Sequence, residues 1–189
     1  MTPINAKEAE KDGVLAAAKL MAVSARTAPK TRGLDSVKTA ILHEPEELEK
    51  LARAMEEVYS EDPQRLAFCK RNADEVRQSV AVLVIGVTGE PKRVESPLNC
   101  GACAMDCPTM LKAKKRDQGM MRGPMCHMQS IDLGIALGSA VKTASELNID
   151  NRMMYSIGVA ARRIKLMDVD LAIGIPLSVS GKNLYFQIK

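Results

Sequence analysis

The chain has 189 residues and a formal net charge of +4, and 46% of its residues are hydrophobic although only 3% are aromatic. This length predicts one domain over residues 1–189, with a core of aliphatic, alanine and methionine side chains. Because stacking aromatics are nearly absent and no recognition motif is present, we expect no nucleic-acid binding. We also expect a cytoplasmic protein without a membrane segment, since the first residues are charged and the longest apolar run is too short to span a bilayer.

The first half of the chain predicts three helices and one strand. Apolar residues recur on one face of a helix over residues 5–26. Alternating residues then predict a strand over 37–42. A proline and acidic residues begin the next helix, which runs to about residue 60, and a third helix is predicted from about 63 to 78.

Three cations lie at the end of the first helix and in the turn after it, namely Arg26, Lys30 and Arg32. A charge run of this kind is often a solvated surface turn. The alternative is an anion site for a phosphate or an acidic substrate, because arginine offers bidentate geometry to such groups.

The second half predicts a central strand and a central helix. Residues 79–87 are almost continuously apolar, which is typical of a strand covered on both faces. A helix over 131–147, with Ser130 as its N-cap, is small or apolar almost all round and belongs at the centre of a domain or a dimer. We therefore expect a homodimer. A helix over 152–166 and a strand from Val169 that ends at Pro176 complete the pattern.

Four of the five cysteines predict a metal centre. Cys100, Cys103, Cys107 and Cys126 have the spacing C-x2-C-x3-C-x18-C, and Pro108 follows the third. Four thiolates from a tight triplet and one remote cysteine are a common ligand set of a [4Fe–4S] cluster. A structural zinc site remains an alternative, although it more often uses two separated C-x2-C pairs. A disulfide framework is disfavoured in a reducing cytoplasm.

A basic run within the cysteine-rich stretch indicates a partner. Its members could meet an acidic redox partner protein, or they could form a solvated loop. They are Lys112, Lys114, Lys115, Arg116 and Arg122.

The chain resembles a family of uncharacterised ferredoxin-domain proteins of anaerobic bacteria and archaea. The resemblance covers nearly the whole chain and rests on Cys-Gly-Ala-Cys at 100–103 with Cys126, on 131–144, on 148–154, and on 174–183. The family pattern is C-x2-C-Gly-x3-C, whereas three residues separate Cys103 from Cys107 here. The resemblance implies an iron–sulfur protein, but the family has no assigned reaction.

A second resemblance concerns the fold. The Ala-Arg-x-Ala-Pro turn at 25–29, the buried strand at 80–85 and Asp-Leu-Gly-Ile-Ala at 132–136 resemble the nitroreductases. This resemblance implies an α+β, three-layer fold with a central sheet, covering helices and a cysteine-rich iron–sulfur insert at 98–127. Nitroreductases bind FMN at a dimer interface, so it also implies a homodimer and FMN. Their Arg-x-Ser-x-Arg flavin motif is missing here.

Three functions are consistent with these features. The first is an iron–sulfur oxidoreductase with a flavin or a substrate pocket, in which Arg26, Lys30 and Arg32 could hold a flavin phosphate. The second is an electron carrier that docks to a partner and binds no small substrate. The third is a structural domain in which bound metal holds the cysteine-rich loop together. Catalytic residues stay unassigned, since no acid, base or nucleophile stands out.

Overall fold

Residues 3–117 and 119–186 are described by a computed structural model, in which helices cover both faces of one antiparallel sheet. The first half contains helix α1 (Ala6–Thr27), strand β1 (Val37–Leu42), helices α2 (Pro45–Glu61) and α3 (Ala67–Arg77), and strand β2 (Ala81–Val87). The second half contains helix α4 (Cys107–Lys112), strands β3 (Arg116–Asp117) and β4 (Arg122–Gly123), helix α5 (His127–Glu146), strand β5 (Asp150–Asn151), helix α6 (Tyr155–Arg163) and strand β6 (Leu171–Ser178). Short 3-10 turns occupy Thr31–Gly33 and Leu184–Phe186.

The main sheet has the order β1-β2-β6-β5, and all neighbouring strands are antiparallel. Every residue of β2 is buried. Because side chains alternate along a strand, Leu83 and Ile85 pack with α1 and α5 on one face, whereas Val82 and Val84 pack with α2, α3 and α6 on the other. The predicted central strand and three-layer arrangement are therefore confirmed.

Strand β6 continues through Pro176, so the prediction that Pro176 ends the strand was wrong. The backbone N–H and C=O of Gly174 bond to Met154, on the β5 side of the strand. Pro176 lies two residues further on, and its nitrogen faces the same side, where pairing with β5 is short. No hydrogen bond to β2 is lost, which is how a proline is tolerated inside a sheet.

Three helix starts also differ from the prediction, and the smallest difference is that of α6, which begins at Tyr155 rather than at residue 152. Helix α5 begins at His127 with Cys126 in the N-cap position, four residues before the predicted start after Ser130. Cys126 is held in an extended conformation by the hydrogen bond from its N–H to Gly89 O, at 2.7 Å. Helix α3 begins at Ala67 rather than near residue 63, because residues 63–66 form a turn. Within the described part of the chain, no helix combines the length and the apolarity needed to cross a membrane.

Gly158 is where α6 lies closest to the sheet, and we expect Gly158→Ala to cost about 3 kcal/mol in the free energy of unfolding. A Cβ there would lie 1.7 Å from Ala172 O and 2.2 Å from Ala172 C, so the helix would have to move off β6. Gly13→Ala in α1 is the control, because no atom lies within 4 Å of its Cβ position. It should be neutral or stabilise by up to about 1 kcal/mol. Chemical denaturation measures both, and equal effects would contradict this packing.

Candidate metal centre

Three of the four predicted cysteine ligands meet at one small cavity. Residues 88–126 connect β2 to α5, and Cys100, Cys107 and Cys126 line the cavity together with apolar side chains that include Leu98 and Met128. The cavity has about 20 Å³ of room, which is little more than one water molecule needs. A four-iron core is larger than this cavity, so the lining residues would have to separate for such a core to be held here. The chemistry of the donor set, four thiols of which three line one cavity, fits an iron–sulfur cluster.

Cys103 does not line the cavity. Its Sγ lies 3.5 Å from Met105 O, so joining the other three requires the side chain to turn away from that carbonyl. In residues 3–117 and 119–186, no three His, Cys, Asp or Glu side chains have the arrangement of a formed metal site. Ala104, which follows Cys103, has φ +60°, a left-handed conformation that costs an L-residue roughly 1–2 kcal/mol.

The triplet loop is folded by its own polar residues. Asn99 has φ +46°, which asparagine tolerates better than most residues, and its Oδ1 accepts a hydrogen bond from Cys107 N–H at 2.8 Å. Asp106 is the N-cap of α4 and accepts from Thr109 N–H at 2.7 Å. These two bonds fix Cys107 at the start of α4, facing the cavity.

Cys126 lies at the N-terminus of the 20-residue helix α5. Burial raises the pKa of its thiol, the backbone N–H groups of Met128 and Gln129 act to lower it, and the thiols of Cys107 and Cys100 raise it again. Metal ligation requires the thiolate. The two N–H groups at the helix end are donors that favour this charged form once a metal is bound.

A buried carboxylate anchors the cysteine segment, residues 88–126, to the sheet. Asp170 is fully buried just before β6, and its Oδ2 accepts from Gly89 N–H at 2.7 Å and from Lys115 Nζ at 2.5 Å. Its Oδ1 accepts from Arg122 Nε, and its backbone O accepts from Arg122 N–H at 3.1 Å. A Cβ at Gly89 would lie 2.3 Å from Met125 Cβ, so only glycine allows this close crossing.

A second buried carboxylate lies behind the cavity. Asp132, in the first turns of α5, accepts from Thr31 N–H and Thr31 Oγ1, both at 2.8 Å, and from Lys92 Nζ at 2.6 Å. Nearby, buried Gln129 accepts from Ser36 Oγ at 2.7 Å and donates to Glu90 O at 2.8 Å. The turn after α1, the segment after β2 and helix α5 are joined by these contacts at the cysteine cavity.

The three cations predicted as an anion site are engaged by protein groups. Arg26 pairs with Asp35 and donates to Val37 O at 2.8 Å. Lys30 Nζ is nearly buried over the end of α1 and donates to Ala25 O at 2.7 Å. Arg32 donates to the backbone O of a serine, Ser96, and lines the cysteine cavity. The anion site stays a prediction, and only Arg32 among the three reaches the cavity.

The basic run divides into two groups. Lys115 and Arg122 bond to Asp170 and so belong to the interior network. Lys112, Lys114 and Arg116 are exposed, and among the described residues they form no ion pair within 4.0 Å.

Sequence reasoning missed the residues that support the cysteines, namely Asp132, Asp170, Lys92 and Gln129. A signal was present for two of them, because an acid within an apolar run needs a buried partner. Asp132 stands in an almost apolar helix, and Asp170 stands between Val169 and Leu171 at the start of an apolar strand.

Two sequence comparisons bear on the family. Residues 122–187 match the family described as "Uncharacterized protein containing a ferredoxin domain (DUF2148)"; the match includes Cys126 but begins after the other three predicted ligands. An uncharacterized protein of Archaeoglobus fulgidus is 42% identical over 184 residues, which are 97% of this chain and 96% of that protein.

Solved structures with low sequence identity share the fold. A BluB-like flavoprotein from Clostridium difficile superposes with a TM-score of 0.57 at 13% identity, covering all of this chain and 86% of that one. Nitroreductase A from Vibrio parahaemolyticus and the NADPH:FMN oxidoreductase from Vibrio harveyi both give 0.54 at 11% identity. This chain is fully covered in both comparisons but spans only 64% and 65% of those chains.

At these identities the structural likeness concerns the fold alone. It confirms the predicted nitroreductase-like α+β fold, whereas the near full-length archaeal relative establishes a sequence family. The chain belongs to the family of uncharacterized proteins that contain a ferredoxin domain, and it has a nitroreductase-like fold.

Proposed function

We propose that this protein is an iron–sulfur redox protein that binds one [4Fe–4S] cluster through Cys100, Cys103, Cys107 and Cys126. The observation that carries the proposal is the meeting of Cys100, Cys107 and Cys126 at one cavity, although the chain separates the first and last by 26 positions. The description of the family as containing a ferredoxin domain supports the same reading. When bound, such a cluster accepts and releases one electron at a time.

The protein's own residues would hold and shield the cluster. The backbone N–H groups of Met128 and Gln129 would donate to the thiolate of Cys126 at the start of α5. Leu98 and Met128, which line the cavity, would shield part of the cluster from water. Cys100 is exposed, so an electron donor could approach from that side of the loop.

Anaerobic purification followed by spectroscopy and metal analysis tests the proposal. Brown protein with roughly four iron and four sulfide per chain is the expected result. One zinc per chain and no sulfide would overturn it in favour of a structural metal site.

The same spectrum separates an electron carrier from a flavin-dependent oxidoreductase. The nitroreductase-like fold favours a flavin, and one protein with a similar fold, from Vibrio harveyi, is an NADPH:FMN oxidoreductase. Arg26 and Lys30, two of the three cations that could hold an FMN phosphate, are instead held by Asp35 and by helix carbonyls. We therefore favour electron transfer without flavin, and a yellow chromophore released on denaturation would reverse that preference.

The exposed cations suggest an acidic redox partner. Replacing Lys112, Lys114 and Arg116 together by Glu should slow reduction by a negatively charged donor protein about tenfold at low salt, because steering depends on complementary charge. The difference should shrink at high salt, since exposed charges are screened over about 10 Å at 0.1 M. Stopped-flow reduction measures both rates.

A matched control variant has the same net charge as the first triple variant. Lys7, Lys11 and Lys50 are exposed on α1 and α2, and their replacement by Glu changes the net charge by the same amount. Equal slowing in the two triple variants would mean that overall charge, rather than this face, governs the rate.

An unpartnered apolar face supports the expected homodimer. Helices α1 and α5 together expose Leu20, Val23, Ile131 and Ile135, and Gly134 leaves open space beside them. A second copy of the chain would cover this face. Sedimentation at micromolar concentration should give twice the 20.5 kDa chain mass.

Ile135→Glu should convert the dimer to a monomer, because it places a charge on the surface that the second copy would cover. Met153→Glu changes a somewhat more exposed apolar residue outside α1 and α5 and should leave the dimer intact. A wild-type monomer would refute the expectation.

A further inference from the structure

The wall of the cysteine cavity contains a buried ion pair. The side chains of Lys92 and Asp132 are 9% and 1% exposed, and Lys92 Nζ lies 2.6 Å from Asp132 Oδ2. Buried pairs of this kind give little net stability compared with apolar residues of similar size, so the pair can serve a second role besides joining the turn after α1, the segment after β2 and helix α5.

Of the two residues in the pair, Lys92 is the one that lies beside the cysteines. Lys92 lines the cavity with Cys100, Cys107 and Cys126, whereas Asp132 does not. Asp132 lies behind the ammonium and is held by the N–H and hydroxyl of Thr31, both at 2.8 Å. Lys92 Nζ also donates to the backbone O of Leu34, in the turn after α1, and this second bond restricts the side chain.

We propose that this pair sets the reduction potential of the metal centre, with Lys92 raising it and Asp132 opposing Lys92 from farther away. The inference rests on the proposed function, because it requires a bound cluster. A core with four thiolates is an anion and gains one negative charge when it takes one electron from a reductant. A cation in the cavity wall stabilises the added charge, and a carboxylate disfavours it.

Opposite shifts in potential test the inference. With dithionite as reductant, Lys92→Met should lower the midpoint potential of the cluster. At the wild-type midpoint, the ratio of reduced to oxidised cluster should fall about tenfold. A tenfold change in this ratio corresponds to a shift of about 59 mV for one electron. Asp132→Asn should raise the potential, and by less, because the carboxylate lies farther from the cavity. The double variant should lie between the two single variants.

Two control variants separate charge from structure, and a third variant provides an alternative test. Lys92→Arg keeps the cation and should restore a potential near the wild-type value. Lys50→Met removes an exposed lysine of α2 and should leave the potential unchanged. If Lys92→Met yields no folded protein, Arg32→Gln carries the same test, since Arg32 is the second cation that lines the cavity and its loss should also lower the potential.

Iron and sulfide analysis accompanies each titration. Wild-type protein without iron and sulfide would overturn the proposed function and this inference together. If wild-type protein holds the cluster, unmoved potentials would overturn the inference alone. Shifts of the same sign for Lys92→Met and Asp132→Asn would also overturn it, because loss of structure affects both variants alike.

Discussion

Replacing Cys126 by Ala should reduce the iron content to less than about half of the wild-type value, whereas Cys69→Ala should leave it unchanged. Cys126 lines the cavity with Cys100 and Cys107. Cys69 is fully buried in an apolar cluster with Val58, Leu66 and Val159, and burial raises the pKa of its thiol. Iron is measured on anaerobically purified protein after removal of loosely bound metal. Iron loss in Cys69→Ala with retention in Cys126→Ala would identify Cys69 as the remote ligand.

Cys103→Ala is the more discriminating variant, because Cys103 faces Met105 O rather than the cavity. A four-thiolate site requires that its side chain turns inward when the cluster binds, so this variant should lose iron as Cys126→Ala does. Retention of iron would mean that three cysteines hold the cluster. One iron would then be open to a substrate or an outside ligand, which would favour an enzyme over a carrier.

Elements with strong local patterns could be predicted from the sequence. Apolar residues at helical spacing indicated α1, and the continuous apolar run indicated β2 as the central strand. The helix–strand order of the nitroreductase-like fold followed from these patterns together with the family resemblance. Each of these helix and strand patterns lies within about 20 residues of chain, so no knowledge of distant contacts was needed.

The supporting contacts of the candidate site could not be predicted in this way. Lys115 and Arg122 bond to Asp170 across 55 and 48 positions of the chain, and Thr31 bonds to Asp132 across 101. In the sequence, Lys115 and Arg122 belong to one basic run, and nothing local separates them from exposed Lys114. The start of α5 at Cys126 likewise depends on a distant carbonyl, Gly89 O.

Among the residues that support the cysteine segment, Asp170 is the one whose replacement should lower the stability of the protein most. We expect Asp170→Asn to lower the free energy of unfolding of metal-free protein by about 3 kcal/mol, because it removes the buried charge that Lys115 and Arg122 share. Asn keeps the acceptor for Gly89 N–H, so the change tests the charge rather than the shape. Urea denaturation measures the effect.

Asp74→Asn is the matched control. Asp74 is exposed and pairs with Arg77 at 3.3 Å, so its replacement should change the stability by less than about 0.5 kcal/mol. An alternative hypothesis is that bound metal alone orders residues 88–126. Under that hypothesis, Asp170→Asn would be as mild as Asp74→Asn in metal-free protein.

The stability difference between wild type and Asp170→Asn should also depend on pH. Burial acts to raise the pKa of Asp170, but hydrogen bonds from Lys115, Gly89 N–H and Arg122 outweigh it and hold the pKa below its ordinary value. A carboxyl whose pKa is lowered by folding stabilises the protein above its unfolded pKa of about 3.9, and this stabilisation is lost as the pH falls through the folded value. The difference should therefore be the same at pH 7 and pH 5 and should begin to close below about pH 4. A difference that grows on acidification would mean that Asp170 is protonated in the folded protein and that Lys115 and Arg122 are not its charge partners.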